Sequence, residues 1–110
     1  MTGIRNDRIV QCILDALQNT ADLILIYGQT TRMGSSWDGE TEIAVITPYK
    51  ISDIQEERLS NAVADFNRKH NRKYSVIDIE AAAFQENQEK IPLYREISHT
   101  GIRIWARDGN

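Results

Sequence analysis

The chain has 110 residues, of which 41% are hydrophobic and 26% are charged, and its formal net charge at pH 7 is −3. This length and composition predict one globular domain with a single modest core. The acidic balance argues against direct binding of nucleic acid, which requires a basic surface. The one cysteine, Cys12, excludes an internal disulfide. No run of residues is long and apolar enough for a membrane span or a signal peptide, so we expect a cytoplasmic protein without membrane contacts.

Three elements are predicted in the first half of the chain. Apolar residues at helical spacing between Ile9 and Leu17 predict a helix from Asn6 to Gln18, with Asn6 as its N-cap. Two short apolar runs, residues 23–27 and 43–46, are rich in β-branched side chains. Runs of this kind are typical of buried strands. We therefore expect a helix followed by two strands, with the first strand ending where Gly28 interrupts the apolar run.

The long polar segment between the two strands is the first candidate site. It contains glycines, hydroxyl side chains and one cation, Arg32, and it ends in Glu40-Thr41-Glu42. Backbone N–H groups and hydroxyls at the edge of a sheet can hold phosphates. Glutamates at i and i+2 on a strand point to the same face, where paired carboxylates can hold a divalent cation. The alternative interpretation is a polar hairpin without a ligand.

The second half of the chain predicts a helix, a strand, a helix and a short strand. Ser52 and Gln55 have the spacing of a capping box, which starts a helix that runs to about Arg68. The basic segment 68–73 is either a solvated helix end or a contact for a polyanion. Residues 74–80 form a third strand, in which Asp78 either binds a metal or faces solvent on an edge strand. Pro92 suits the first turn of a helix, and Gly101 ends that helix before a strand over residues 102–105.

This order of elements and motifs resembles the nucleotidyltransferase fold of the DNA polymerase beta superfamily, in particular its small, minimal members. The family pattern is a Gly-Ser pair, a loop of about ten residues, and then two aspartates separated by one residue. Gly28 matches the glycine, and Glu40 and Glu42 occupy the positions of the two aspartates. The chain departs from the pattern because Gln29 replaces the serine and both acidic residues are glutamates. The resemblance implies an α/β fold with a small mixed sheet flanked by helices, in the order αββαβα plus a short C-terminal strand.

The resemblance also implies roles for individual residues. Glu40, Glu42 and Asp78 would hold Mg²⁺, or Mn²⁺ as a substitute, and Asp78 and Glu42 would be catalytic. The residues that would hold the phosphates of a nucleoside triphosphate are Gly28, Gln29, Arg32, Ser35 and Ser36. In the family, an acceptor hydroxyl attacks the α-phosphate of the nucleotide and pyrophosphate leaves.

Two hypotheses about function follow from this resemblance. In the first, the chain transfers a nucleoside monophosphate, with AMP as the expected nucleotide, to a hydroxyl group. It would then act as the antitoxin of a helical HEPN-type toxin. In the second, the chain is catalytically inactive and acts as a protein-binding module of the antitoxin type, because glutamate places its carboxylate farther from the backbone than the near-ideal geometry of Mg²⁺ allows. A homodimer is compatible with either hypothesis, and a third interpretation is an α/β domain whose resemblance is accidental.

Overall fold

The computed structural model describes residues 3–29 and 40–108. The elements follow one another as α1 (Gly3–Ala16), β1 (Leu23–Gln29), β2 (Thr41–Thr47), α2 (Asp53–His70), β3 (Tyr74–Glu80), α3 (Ala81–Asn87), α4 (Pro92–Thr100) and β4 (Ile102–Ala106). The four strands form one sheet in the order β3-β2-β1-β4. The β1 strand pairs antiparallel with β2 and β4, whereas β2 and β3 are parallel. The predicted α/β fold with a mixed sheet is therefore confirmed.

Alternating residues of the central strand β2 divide the interior into two cores. Ile43 and Val45 belong to the first core, where the sheet packs against α1 and α2. Ala44 and Ile46 belong to the second core, where the sheet packs against α3 and α4. All four side chains are buried, as expected for a strand covered on both faces. The β2 strand therefore fixes which face of the sheet each of its other residues occupies.

The two cores differ in size and composition. The first core is the larger and is filled by aliphatic side chains, including the fully buried Ile9 and Ile13 of α1. In the second core, Ile97 is the fully buried residue of α4, and it is joined by the partly buried rings of Phe84 and Tyr94. The hydrophobic driving force for folding is therefore concentrated on the α1–α2 side of the sheet.

Two predicted boundaries are wrong, and one helix was not predicted. The α1 helix begins at Gly3, so Asn6 lies within the helix and is not its N-cap. The β1 strand continues through Gly28 to Gln29, because a bulge at Tyr27 lets pairing with β2 resume beyond the apolar run. The α3 helix was not predicted, since it has only seven residues and no side-chain cap. It is held by packing of Ala81 and Phe84 against the second core.

The later predictions are confirmed more closely. The β3 strand has the predicted limits, and α4 begins at Pro92 and ends before Gly101. Any side chain at Gly101 would collide with the carbonyl oxygen of Ile97, which explains the glycine there. Among the described residues, no helix is both long and apolar enough to cross a membrane.

Both ends of α2 are stabilised by identifiable contacts. The Ser52 side chain accepts a hydrogen bond from the Gln55 backbone N–H at 3.1 Å, and the Ser52 N–H donates to Gln55 Oε1 at 2.9 Å. This is the predicted capping box. At the other end Asn71 adopts a left-handed conformation, with φ 53° and ψ 50°, and its N–H donates to the carbonyl of Asn67. The helix therefore has a defined start and a defined end.

Replacing the N-cap side chain should destabilise the protein by a predictable amount. We expect Ser52→Ala to lower the free energy of unfolding by about 1 kcal/mol, because the Gln55 N–H in the first turn loses its acceptor. Ser60→Ala, an exposed position within the same helix, is the control and should change the free energy by less than about 0.5 kcal/mol. Denaturant unfolding followed by circular dichroism measures both, and equal effects of the two substitutions would contradict a capping role for Ser52.

Candidate functional site

The candidate site lies where β1 ends and β2 begins. Ile26 pairs with Ile43, but the next pair along the two strands is Gly28 with Glu42, so Tyr27 is the extra residue of a β-bulge. Glu42 is half-buried, whereas Glu40 lies one residue before β2 and is exposed. Because residues alternate along a strand, Glu42 lies on the same face as Ala44 and Ile46, which is the face of the second core. The bulge thus places Tyr27 and Gly28 beside one carboxylate.

Gly28 is in close contact with the Glu42 side chain. A Cβ atom at Gly28 would lie 2.9 Å from Glu42 Oε1 and 3.3 Å from its Cδ. The absence of a side chain at Gly28 therefore leaves the space that the carboxyl group occupies. The predicted role of this glycine in binding phosphate is not tested by this contact and stays a prediction.

The tyrosine of the bulge has a perturbed acidity. Tyr27 is buried, with 9% of its surface exposed, and burial raises the pKa of its phenol above 10.0. The negative charges of Glu42 and then Glu96 of α4 raise this pKa further. The electrostatic potential at this end of the second core is therefore negative.

Asp78 does not lie beside Glu42, and its predicted role as a metal ligand and catalytic residue stays a prediction. In the parallel register of β2 and β3, Glu42 pairs with Ser75 and Val45 pairs with Asp78. Directly paired residues project to the same face of a sheet. Asp78 therefore lies on the first-core face with Val45, and it lines a surface cavity together with Ser60 and Val63 of α2. The β3 strand is at the edge of the sheet, and Asp78 is half-buried.

The position beside Glu42 is occupied by a serine. Ser75 is exposed and is the β3 residue directly opposite Glu42. Within residues 3–29 and 40–108, no three histidine, cysteine, aspartate or glutamate side chains are grouped closely enough to hold a metal ion. The donor set that these residues supply therefore does not fit a pair of magnesium ions. Binding of Mg²⁺, Mn²⁺ or a nucleoside triphosphate stays a prediction.

Several predicted phosphate-binding residues cannot be placed. Arg32, Ser35 and Ser36 lie outside the described residues, and of Gln29 only the backbone, paired with Thr41, is described. Three residues at the site were missed from the sequence, namely Tyr27, Ser75 and Glu96. Ser75 would have been found only from the register between β2 and β3, which depends on a partner strand more than 30 residues away. No local pattern marks Tyr27 or Glu96.

Removing the charge of Glu42 should lower the pKa of Tyr27. We expect Glu42→Gln to shift this pKa part of the way toward 10.0, because burial, the larger cause, remains. A raised pKa in the folded state means that unfolding becomes easier as the pH rises from the unfolded pKa, near 10, through the folded pKa. Because Glu42→Gln lowers the pKa of Tyr27 in the folded state, the free energy of unfolding should fall over a narrower range of alkaline pH in this variant.

The measurement is the ultraviolet absorbance of tyrosinate against pH, with Tyr27→Phe used to identify the contribution of this residue. Glu40→Gln is the matched control, since Glu40 does not contribute to the raised pKa of Tyr27. An equal shift in both glutamine variants would contradict the proximity of Glu42 and Tyr27.

Comparison with known proteins gives a match in structure but not in sequence. No family model matches the chain, and no curated protein matches it. One similar solved structure is the crystal structure of the toxin–antitoxin MntA–HpeT mutant in which two aspartates, two positions apart, are replaced by glutamates. It is 16% identical, with a TM-score of 0.59, and the match covers 91% of this chain and 72% of that chain.

A second similar structure is the rebuilt and re-refined complex of the tri-AMPylated Shewanella oneidensis HEPN toxin with the MNT antitoxin. It is 15% identical, with a TM-score of 0.62, and the match covers 98% of this chain and 75% of that chain. At these identities the likeness is one of fold. The chain has the nucleotidyltransferase-like fold of the MNT antitoxins.

Proposed function

We propose that this chain is an antitoxin-type protein that binds a HEPN-type partner through a nucleotidyltransferase-like fold and does not itself transfer nucleotides. The observation that carries the second half of this proposal is the β2–β3 register. It places Ser75 beside Glu42 and sends Asp78 to the opposite face of the sheet. The first half is supported by the structural similarity to MNT antitoxin in complexes with a HEPN toxin, which is a likeness of fold.

The loss of transfer follows from what phosphoryl chemistry requires. In-line displacement at a phosphate needs metal ions that neutralise the developing charge and align the reacting oxygens. Mg²⁺ demands near-ideal octahedral geometry, which a third carboxylate on the same face would help to provide. Here the neighbour of Glu42 is a hydroxyl group, and glutamates replace the aspartates of the motif. Misplacement by about 1 Å can cost about a hundredfold in rate.

Retention of the fold is expected even where transfer is lost. Glu40 and Ser75 are exposed and Glu42 is only half-buried, so the cores do not depend on these side chains. The crystallised MntA–HpeT mutant carries a pair of glutamates at the same spacing, which supports the compatibility of such a pair with an assembled complex. A surface that binds a partner can therefore persist after the metal site has degenerated.

Transfer of AMP from ATP to a hydroxyl group of the partner is the second candidate function. The observation that favours it is the close fit of Gly28 to the Glu42 carboxyl group, which preserves two positions of the motif. In this case Glu40 and Glu42 would hold Mg²⁺ or Mn²⁺, and Gly28 with the following loop would hold the phosphates.

The two functions predict different results in one set of assays. We expect tagged chain to capture a HEPN-type protein from its native cells, and the two purified proteins to migrate as one complex in size exclusion. Incubation of this complex with labelled ATP and Mg²⁺ or Mn²⁺ should leave the partner unlabelled. Glu42→Gln should leave the complex intact, because the carboxylate is proposed to have no catalytic role.

Labelling of the partner that disappears in Glu42→Gln would contradict the proposed loss of transfer and establish the second function. Absence of a HEPN-type protein from the captured material would contradict the proposed partner. Glu40→Gln serves as a further control, because both glutamates would be needed for metal-dependent transfer.

A third carboxylate introduced beside Glu42 should create metal affinity. We expect Ser75→Asp to bind Mn²⁺ at least about tenfold more tightly than the unmodified chain, the order of magnitude that supporting groups contribute at metal sites. The physical reason is that residue 75 is the direct neighbour of Glu42 on the same face. Titration calorimetry with Mn²⁺ measures this change.

Two matched variants test whether the gain is specific to the site. Ser98→Asp adds the same charge at an exposed position of α4 and should leave Mn²⁺ binding unchanged. Asp78→Asn should also have no effect, because Asp78 lies on the other face. Weaker Mn²⁺ binding in Asp78→Asn would show that Asp78 is a ligand and would contradict the assignment of faces.

A further inference from the structure

Positive charge is concentrated in one short segment, residues 68–73, which we name the basic turn. Its sequence is Arg68-Lys69-His70-Asn71-Arg72-Lys73, and all six residues are exposed. It holds four of the 13 lysines and arginines and none of the 16 acidic residues. The remainder of the chain therefore has nine cations against 16 anions. Because the cations are grouped in this way, the electrostatic potential near the basic turn is positive, although the net charge of the protein is negative.

Stabilisation of a helix end explains only part of this cluster. Arg68, Lys69 and His70 are in the last turn of α2, where cations interact favourably with the helix dipole. Arg68 also pairs with Asp65. Arg72 and Lys73 lie beyond the cap residue Asn71, where the dipole effect has faded. Neither forms an ion pair with any residue that the structure describes.

The backbone of the basic turn is held in place by hydrogen bonds. The Asn67 side chain donates to the Tyr74 carbonyl at 3.0 Å and accepts from the Tyr74 N–H at 2.9 Å. The Arg72 N–H donates to the Asn67 carbonyl at 3.0 Å, and the Thr41 N–H donates to the Lys73 carbonyl at 3.0 Å. Cations on a fixed backbone lose less conformational entropy when they bind a ligand than cations on a flexible one.

An aromatic surface accompanies the cations. The His70 ring packs in a tilted arrangement against the Phe66 ring, with centroids 4.3 Å apart and an interplanar angle of 38°. Phe66 in turn meets Tyr74 edge-on, with centroids 5.8 Å apart. Phe66 and Tyr74 are partly buried against the first core, whereas His70 is exposed. The His70 ring is therefore packed against Phe66 and is also accessible to solvent.

We propose that the basic turn binds single-stranded nucleic acid, with Lys69, Arg72 and Lys73 contacting backbone phosphates and His70 stacking on a base. Cations along the path of a backbone, combined with an exposed ring, are the two components of sequence-tolerant single-strand binding. An acidic protein segment could pair with the cations, but it would not need the exposed His70 ring. The presence of this ring therefore favours nucleic acid, whose bases can stack on it. This inference is independent of the HEPN-type partner proposed above.

The test is fluorescence anisotropy with a short fluorescein-labelled oligouridylate and the full chain, between about 50 and 200 mM salt. We expect binding whose affinity falls with salt. Arg72→Gln combined with Lys73→Gln should weaken it about tenfold and reduce the slope of log K against log salt by about 1.4, because each phosphate contact on a single strand contributes about 0.7. His70→Ala should weaken binding about fivefold or more without changing the slope.

The matched control is Lys50→Gln combined with Lys90→Gln, which removes the same charge at exposed positions elsewhere and should have little effect. An equal loss in this control would overturn the proposal, since only net charge would then matter. Equal competition by inorganic polyphosphate, or by polyglutamate, would overturn it in favour of a generic anion site or an acidic protein. Absence of binding by the unmodified chain at low salt would also overturn it. Circular dichroism confirms that each variant is folded before its affinity is compared.

Discussion

The arrangement of this protein depends on the alternation of side chains along the central strand β2. One set, Ile43 and Val45, fills the first core, and the other, Ala44 and Ile46, fills the second. A slip of one residue in the pairing of this strand would send every one of these side chains to the wrong face. The hydrophobic pattern therefore fixes the face of Glu42 as well, although Glu42 contributes little to either core. The position of the candidate site is a consequence of how the cores pack.

Because of the same constraint, the residues that stabilise the fold are different from the residues of the candidate site. Fully buried residues of the first core include Ile9 and Ile13 of α1, and Leu17 just after this helix. The site is at the ends of β1 and β2, where Glu40 is exposed and Glu42 half-buried. Substitutions at surface positions usually change stability little, whereas core positions are costly to change. A chain of this fold can therefore lose its metal-binding carboxylates without losing its structure, which is the physical basis for an inactive binding module.

The sequence predicted those features that depend on local patterns. The limits of β3, the capping box at Ser52 and the helix end at Gly101 follow from residue types within a few positions of one another. The bulge at Tyr27 and the pairing of Ser75 with Glu42 depend on contacts with another strand. For this reason the sequence did not predict the position of Asp78 relative to Glu42. Alternation correctly divided β3 into two faces, but only the register with β2 shows which of them Glu42 shares.

The parallel register of β2 and β3 also brings the acidic pair Glu40 and Glu42 and the basic turn to the same end of the sheet. The hydrogen bond from the Thr41 N–H to the Lys73 carbonyl joins the start of β2, with its two glutamates, to the basic turn. Without bound cations, the glutamates repel a chain of phosphates, while the basic turn attracts it. We therefore expect a polyanion that approaches this end to be directed away from Glu42 and toward the exposed ring of His70. In the family that this fold resembles, metal ions would reverse that preference by holding phosphates at the acidic pair. Because the described residues place no third carboxylate beside Glu42, we expect the basic turn to be the part of this surface that holds a phosphate.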